Sequence, residues 1–379
     1  MFQLSEERLR LFEEAGRELR GEIDVYNLGQ SFKEFHHLSS SYNQVYCIDF
    51  RRTRGCHYGA SNVFVEIIRQ LEENGVKVGN EIHEVNPDTT RFVETSTGNA
   101  AEAFVMATNK LGYTGTIVIM PDGLPEARYK NLEKYGAEVV RTKKELYVRG
   151  LPLELKKYIK KNKERKPGEK LSVISNHSVG AIEITFSRMK TAIVEQFPKK
   201  YDGPSNPNTL TVTFGNGASI NALSEALKAM YSNLKVVGTA DFAYGGGYNI
   251  FAQQKGLPLY EELYGILNGA LSSDFSMIGS DFFMGIELPF QKRAFEKKLI
   301  DEFVLCTNKT ILEAFRKTNP TSEQWKNAKR LPQWDTASPA LIRSFGNTSL
   351  ANIMTAAQNL RPGEIALATV YDDARLYLD

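Results

Sequence analysis

Hydrophobic positions along the chain follow two spacings in turn, and this alternation predicts strands followed by helices. Short continuous apolar runs, such as residues 116–120, are typical of buried strands. Runs with apolar residues three or four positions apart, such as residues 63–71, are typical of helices with one buried face. Because the two patterns alternate through most of the chain, we predict an α/β fold with mainly parallel sheets.

The individual predictions rest on this spacing and on the residues that start and stop helices. The segment that follows the first helix, up to residue 37, has no clear period and predicts an irregular lead-in. Residues 51–62 predict a long loop ending in a helix cap at Ser61 or Asn62. The predicted strands are 44–50, 91–95, 116–120, 138–141, 171–175 and 209–214, and the predicted helices include 5–19, 63–74, 125–135 and those that follow the strands ending at 95 and 214.

Composition and charge argue against binding to nucleic acids or membranes. The 379 residues are 42% hydrophobic and 24% charged, which is typical of a globular protein, and the net charge is only +2. This balance gives no electrostatic case for nucleic-acid or membrane binding, and the lysine-rich stretch 156–170 predicts a solvated surface helix or loop. The first residues are charged and lack an apolar signal core, so we predict a cytoplasmic protein.

Metal binding is not predicted. The three cysteines form no CxxC pair and have no zinc-like spacing to histidine, and the neighbouring His36 and His37 lack a third ligand nearby. Three arginines, Arg51, Arg52 and Arg54, form a local positive cluster that could attract an acidic co-substrate, although exposed loop arginines are the commoner explanation.

Two small turns that open helices are candidate anion sites. The first amide groups of a helix lack internal acceptors and carry partial positive charge, so they can hold an anion. The first turn comprises Ser96, Thr97, Gly98, Asn99 and Ala100 and follows a predicted strand. It suits a carboxylate, although an ordinary capped helix explains it equally well when it is considered alone.

The second turn comprises Gly215, Asn216, Gly217, Ala218 and Ser219. Its two glycines allow close approach of the backbone to an oxyanion, and Ser219 adds a hydroxyl, so a phosphate monoester suits it. The turn lacks the GxGxxG pattern and its acidic partner, which disfavours a nicotinamide cofactor.

Taken in order, these motifs resemble the fold-type II pyridoxal-phosphate enzymes, and cysteine synthase most closely. Further matching segments are Met120-Pro121, Gly136-Ala137-Glu138-Val139, Leu299 to Val304 and Asp372 to Leu378. The resemblance implies pyridoxal 5'-phosphate as cofactor, an amino-acid substrate, a homodimer, and two three-layer α/β domains with the cofactor cleft between them. It implies a smaller domain of residues 40–200 and a larger domain of residues 1–39 and 201–379. The Asp, Gly, Pro, Ser and Asn content of residues 201–208 independently predicts a linker or long surface loop there.

The resemblance also assigns roles to the residues of the two turns. Ser96 to Ala100 would hold the substrate carboxylate, and Asn99 would also bond the cofactor's ring oxygen. Gly215 to Ser219 would cradle the cofactor phosphate, and Thr348 or Ser349 would meet the ring nitrogen. The implied reaction is β-replacement on a serine- or cysteine-derived amino acid through an aminoacrylate, and a serine or threonine dehydratase is the alternative enzyme.

One departure from the family concerns its Schiff-base lysine, whose position falls on Ala60. No lysine occurs between Lys33 and Lys77. An alanine cannot hold the cofactor or remove the α proton. Because the two turns remain recognisable, we favour an engineered lysine-to-alanine change over a natural, non-catalytic pseudoenzyme that binds the cofactor or an amino acid.

Three residues near these sites have open roles. His57 and Tyr58 lie close to Ala60 and could act as an acid or hydrogen-bond donor, although packed loop residues are the commoner case. His177, within Asn176-His177-Ser178, follows a predicted strand and could approach the site.

Overall fold

The computed structural model describes residues 1–31, 43–51, 53, 55–96, 98–124, 126–175, 177–178, 180–241, 246–258, 289–306 and 347–371. These residues form two compact units. Unit 1 contains Met1–Gly21 and Thr53–Met189, and unit 2 contains Glu22–Arg52 and the described part of Lys190–Leu378.

Helices and strands alternate along the described chain. The elements of the first two hundred residues are α1 (Glu6–Glu18), β1 (Asp24–Asn27), α2 (Leu28–Ser31), β2 (Val45–Asp49), α3 (Cys56–Ser61), α4 (Val63–Asn74), β3 (Val76–Val78), β4 (Glu81–His83), β5 (Thr90–Thr95), α5 (Asn99–Lys110), β6 (Ile117–Pro121), α6 (Glu126–Lys134), β7 (Glu138–Thr142), a 3-10 helix (Lys144–Arg149), α7 (Gly150–Lys163), β8 (Leu171–Ile174) and α8 (Ile182–Lys200). The elements that follow are β9 (Thr209–Thr213), α9 (Ala218–Met230), β10 (Lys235–Asp241), α10 (Gly246–Lys255), α11 (Pro289–Glu296), β11 (Glu302–Cys306), α12 (Asn347–Gln358) and β12 (Ala366–Val370).

Unit 1 is built on a four-stranded parallel sheet with strand order β7-β6-β5-β8. The central strand β6 is buried on both faces, which explains its continuous apolar sequence. A short antiparallel pair, β3-β4, also belongs to this unit. Parallel strands end at the same edge of a sheet, so the residues that follow β5 and β8 come close together.

Unit 2 is built on a six-stranded sheet with strand order β1-β2-β12-β9-β10-β11. All its neighbouring strands are parallel except β1, which runs antiparallel to β2. Strands β9 and β12 are buried along their whole length. Helix α12 contributes Leu350 and Ile353 to an apolar cluster with residues of β2 and β12. This sheet carries the α9 turn at the end of β9.

The predicted fold class, mixed α/β with mostly parallel sheets, is confirmed. Two local predictions are wrong. The lead-in predicted to be irregular contains β1 and α2, and the loop predicted at residues 51–62 contains α3. These elements are only four to six residues long, too short to show a period.

The two units divide the chain differently from the predicted domains. Residues 1–21 lie in unit 1 and residues 22–52 in unit 2, whereas the sequence-based division begins the smaller domain at residue 40. The interpretation of these units as folding domains stays a prediction. Every helix of the described chain is too short or too polar to cross a membrane.

Candidate functional site

The first candidate turn lies between β5 and α5 in unit 1. The Ser96 side-chain oxygen accepts hydrogen bonds from the backbone amides of Gly98, at 3.1 Å, and Ala101, at 3.2 Å. Ser96 therefore caps the first turn of α5, and its hydroxyl hydrogen is still able to donate. Asn99 opens the helix and is half-buried, and Ala100 is buried.

Gly98 lies against a charged side chain that the spacing of residues along the sequence does not indicate. A Cβ atom at Gly98 would collide with Nη1 of Arg128. Arg128 comes from α6 and is only 9% exposed, so a buried guanidinium adds positive charge beside the turn. Thr97, which the resemblance also assigns to the substrate carboxylate, lies outside the described residues.

Helix α3 packs against the first turns of α5. Gly55 has a φ of +72°, and a Cβ atom there would collide with the Cβ of Ala103. Ala60, the position that the resemblance assigns to the Schiff-base lysine, lies on α3 and is fully buried. Unit 1 therefore brings α3 and the α5 turn together.

A buried acid–base cluster lies at the ends of β5 and β8. His177 Nδ1 is 3.2 Å from Oε2 of Glu94, and the side chains are 4% and 2% exposed. Glu94 also accepts hydrogen bonds from the Ser175 hydroxyl and, at 2.7 Å, from the Thr95 amide. Because the carboxylate is buried, it depends on these groups for the stabilisation that water would otherwise give.

Two residues of α3 extend this cluster. The ring centroid of Tyr58 lies 5.1 Å from that of His177, edge to face, and 4.1 Å from that of His57. Burial, and then the charge of His177, lowers the pKa of His57 to about 3, so the His57 ring is neutral at pH 7. Tyr58 is buried, and it lies on a helix rather than in a loop.

The second candidate turn opens α9 in unit 2. Gly217 has a φ of +90°, and a Cβ atom there would lie 2.8 Å from the carbonyl carbon of Phe290 in α11. Gln291 donates to the carbonyl of Gly215 at 2.8 Å, and Asn221 donates to the carbonyl of Gly217 at 2.7 Å. The C=O and the following N–H of a peptide point in opposite directions. The N–H groups that follow the Gly215 and Gly217 carbonyls therefore point away from α11 and from Asn221.

Side chains complete this turn. The Asn216 side chain accepts a hydrogen bond from the Ala218 amide at 3.0 Å, and Ser219 is buried at the start of α9. Backbone amides, a hydroxyl and a positive-φ glycine at a helix N-terminus are the donor set that suits a phosphate monoester.

The start of α12 lies close to this turn within unit 2. The Asn352 side-chain oxygen accepts from Thr213, at 3.0 Å, and Thr239, at 2.6 Å, while its amide donates to Thr369. Asn352 therefore ties α12 to β9, β10 and β12. Thr348, one turn earlier, is half-buried. Ser349 is fully buried, and its side-chain oxygen accepts from the Tyr371 amide at 3.1 Å.

The predicted arginine cluster is only partly described. Arg51 is not an exposed loop residue, because its side chain is 9% exposed and pairs with Asp49 at 2.6 Å. Its charge is thereby neutralised, while Arg52 and Arg54 lie outside the described residues, as do His36, His37, Asn176 and the C-terminal motif 372–378. Within the described ranges, no group of three His, Cys, Asp or Glu side chains is arranged to hold a metal ion.

Comparisons with known proteins agree on one family. The family model described as "Pyridoxal-phosphate dependent enzyme" matches residues 61–318, a range that begins just after Ala60. A cysteine synthase of a Flavobacterium species is 28% identical over 155 residues, which cover 40% of this chain and 46% of that protein. The match thus spans about half the length of that relative.

Solved structures share the fold over nearly the whole chain. The O-acetylserine dependent cystathionine beta-synthase from Helicobacter pylori has a TM-score of 0.61 and 16% identity, and the match covers 100% of this chain and 98% of that chain. Cysteine synthase from Entamoeba histolytica has a TM-score of 0.59 and 14% identity, covering 100% and 92%. A lysine-to-alanine mutant of O-ureido-L-serine synthase, bound to O-ureido-L-serine, has a TM-score of 0.60 and 14% identity, covering 96% and 91%.

Proposed function

Because this chain belongs to the pyridoxal-phosphate dependent enzymes, we propose that it is built for β-replacement on a serine- or cysteine-derived amino acid, and that Ala60 occupies the position of the Schiff-base lysine. The observation that carries the proposal is the presence of two donor-lined helix N-termini, one suited to a carboxylate and one to a phosphate. The similarity to cysteine synthase supports replacement over other reactions of the family.

The α9 turn is the proposed seat of the cofactor phosphate. Its amides are turned away from α11 by the bonds that Gln291 and Asn221 make to the carbonyls. Gly215, Asn216, Gly217, Ala218 and Ser219 would together surround the phosphate oxygens with backbone and side-chain donors.

The ring nitrogen is proposed to meet Thr348 rather than Ser349. Ser349 is fully buried, whereas Thr348 retains accessible surface. A neutral hydroxyl in this role leaves the ring nitrogen less strongly protonated than an aspartate would.

The α5 turn is the proposed carboxylate site. The first amides of α5, the Ser96 hydroxyl and Asn99 would donate to the substrate, and Arg128 adds positive charge behind Gly98. Bound pyridoxal phosphate supplies an aldehyde that bonds to amines and a ring that stores the electrons released when a bond at the amino-acid Cα breaks. Alanine at position 60 leaves this chain without the amine that anchors the aldehyde, so we expect the cofactor to bind reversibly and turnover to be impaired.

The variant Ala60→Lys tests whether position 60 is the position of the Schiff-base lysine. We expect A60K incubated with pyridoxal phosphate to retain the cofactor covalently after borohydride treatment, because a lysine at this position would supply the missing amine. Peptide mass spectrometry would locate the added mass on the substituted peptide. The unsubstituted protein is expected to release all its cofactor on dialysis.

The matched control is Tyr58→Lys, which places an amine on the same helix but two residues earlier and therefore on another side. If a folded A60K protein gains no mass while Y58K does, the lysine position is assigned wrongly. Circular dichroism of both variants shows whether each is folded, which matters because Ala60 is fully buried.

A dehydratase is the alternative enzyme, and product analysis of A60K separates the two. We expect the product of replacement to change with the nucleophile supplied, such as sulfide, cyanide or an amine. Formation of the same 2-oxo acid with every nucleophile would favour the dehydratase. A non-catalytic binding protein is the third candidate, and the specific observation in its favour is the buried Ala60 itself.

A further inference from the structure

We propose that His57 is the proton acceptor of this lysine-less site, and that His177, paired with Glu94, positions it. The inference rests on the proposed function, since it concerns the proton of an amino acid held by the α5 turn. It assigns to unit 1 the acid–base group that alanine at position 60 cannot supply.

The first argument is placement. His57 and Ala60 are three residues apart on α3, so they lie on the same side of that helix. The start of α3 packs directly on Ala103, one turn into α5. His57 therefore lies on the element that adjoins the proposed carboxylate turn.

The second argument is the pair of buried residues, Glu94 and His177, that lies in the same cluster as His57. Glu94 lies two residues before Ser96, at the end of the strand that leads into the turn. Its carboxylate lies 3.2 Å from His177 Nδ1, and the Thr185 hydroxyl donates to the His177 carbonyl at 2.8 Å. The buried carboxylate beside the ring nitrogen interacts electrostatically with the imidazole and favours this placement of the His177 ring.

The third argument is contact between the rings. Tyr58 lies between the two histidines, with ring centroids 4.1 Å from His57 and 5.1 Å from His177, and Phe64 packs on His177 at 5.3 Å. These aromatic contacts restrict the rotation of both imidazole rings.

Charged groups lie on several of the elements around the cluster. Besides His177 and Glu94, Arg188 of α8 donates to the Ser61 carbonyl at 3.2 Å, and Arg128 of α6 lies against Gly98. Burial and the His177 charge lower the pKa of His57. A substrate carboxylate bound at the α5 turn would raise that pKa again, because a nearby negative charge favours the imidazolium.

The proposed step is a single proton transfer. The Cα–H bond of the bound amino acid breaks, its proton forms an N–H bond with the neutral His57 ring, and the electron pair remains with the substrate. His177 and Glu94 do not touch the substrate in this scheme, so they are positioning residues.

Deuterium labelling tests the role of His57. The protein is incubated with pyridoxal phosphate and L-serine in D2O, and proton NMR follows loss of the α-proton signal. We expect His57→Ala to slow labelling by about 100-fold, the usual contribution of a positioned general base, and added imidazole to restore part of the rate. His83→Ala, on β4 in the same unit, is the matched control and should label at the original rate.

Histidine NMR of the protein without cofactor tests the coupling independently of activity. The chain has five histidines, so single variants assign their ring signals. We expect the His57 ring to resist protonation on acidification. In His177→Gln the His57 ring should titrate at higher pH, because the charge of His177 is no longer beside it. An unchanged His57 titration in H177Q would show that the two rings are not coupled and would overturn the positioning role.

The outcomes separate this inference from the proposed function. If equilibrium dialysis shows that the unsubstituted protein does not bind pyridoxal phosphate, the proposed function is wrong, and the NMR titration still tests the cluster. Suppose instead that the cofactor binds, but that His57→Ala labels L-serine as fast as the unsubstituted protein, or that neither protein labels it. Either result would overturn the assignment of His57 and leave the proposed function standing.

Discussion

At the scale of single residues, Gly217 decides whether the α9 turn can form. Its φ of +90° is one that side chains rarely adopt, and a Cβ atom there would lie 2.8 Å from Phe290 and 2.9 Å from Gln291, both backbone atoms of α11. The glycine is therefore required both by conformation and by contact. Gly363 has a similar φ of +85° but no atom within 4 Å of an added Cβ.

Substituting these two glycines separates the effect of the positive φ from the effect of the contact with α11. We expect both Gly217→Ala and Gly363→Ala to lose about 1–2 kcal/mol of unfolding free energy from the positive φ. G217A should lose about 1–3 kcal/mol more, because the methyl group presses on the backbone of α11, and it should bind pyridoxal phosphate more weakly. Urea unfolding and equilibrium dialysis measure both effects. Equal losses in the two variants would contradict the contact argument.

At the scale of elements, α12 is held to the sheet of unit 2 by polar contacts as well as apolar ones. Asn352 is fully buried and bonds to threonines of three strands, β9, β10 and β12. Because β9 leads into the α9 turn and Thr348 lies one turn before Asn352, the same contacts fix the proposed ring-nitrogen hydroxyl relative to the phosphate turn.

Removing this amide should weaken the whole element. We expect Asn352→Ala to lose about 2–4 kcal/mol of unfolding free energy, since buried threonine hydroxyls would lose their partner. Gln358→Ala, at an exposed position of the same helix, should change it by less than about 0.5 kcal/mol. A loss in N352A no larger than in Q358A would show that the network adds nothing to stability.

At the scale of the whole molecule, the charges nearly balance, with 47 basic and 45 acidic residues. The dependence of stability on pH therefore comes from particular buried groups rather than from net repulsion. His57 is one such group, because its pKa is lowered from 6.5 to about 3 in the folded chain.

This shift predicts a loss of stability in acid. Between about pH 6.5 and pH 3 the unfolded chain binds a proton at His57 that the folded chain does not, so stability falls as the pH falls through this window. The slope from this one group is at most about 1.4 kcal/mol per pH unit. We expect His57→Gln to flatten the acid side of the curve of thermal midpoint against pH. His83→Gln is the control, and parallel curves for H57Q and the unsubstituted protein would contradict the prediction.

Much of the fold was predictable because it depends on the types of residue within short stretches of the sequence. Strand β6 is a continuous apolar run and β9 consists of threonine, leucine and valine. The helices that follow β5 and β9 begin at turns rich in glycine and small polar residues. Both candidate anion turns were found this way. The acid–base cluster was not, because Glu94 and Ser175 are 81 positions apart and nothing in the spacing around either one indicates the other.

The sequence by itself determined the alternation of strands and helices, the α/β class and the two turns, since periodicity and turn-forming residues act over a few positions. Only the tertiary structure decided which distant segments meet. It placed β2 in the sheet of unit 2, between β1 and β12, although the helix that follows it, α3, belongs to unit 1. It also placed Arg128 behind Gly98 and His177 beside Glu94. Such contacts arise from packing and from the pairing of buried polar groups, which depend on the folded path of the chain and not on the spacing of residues along it.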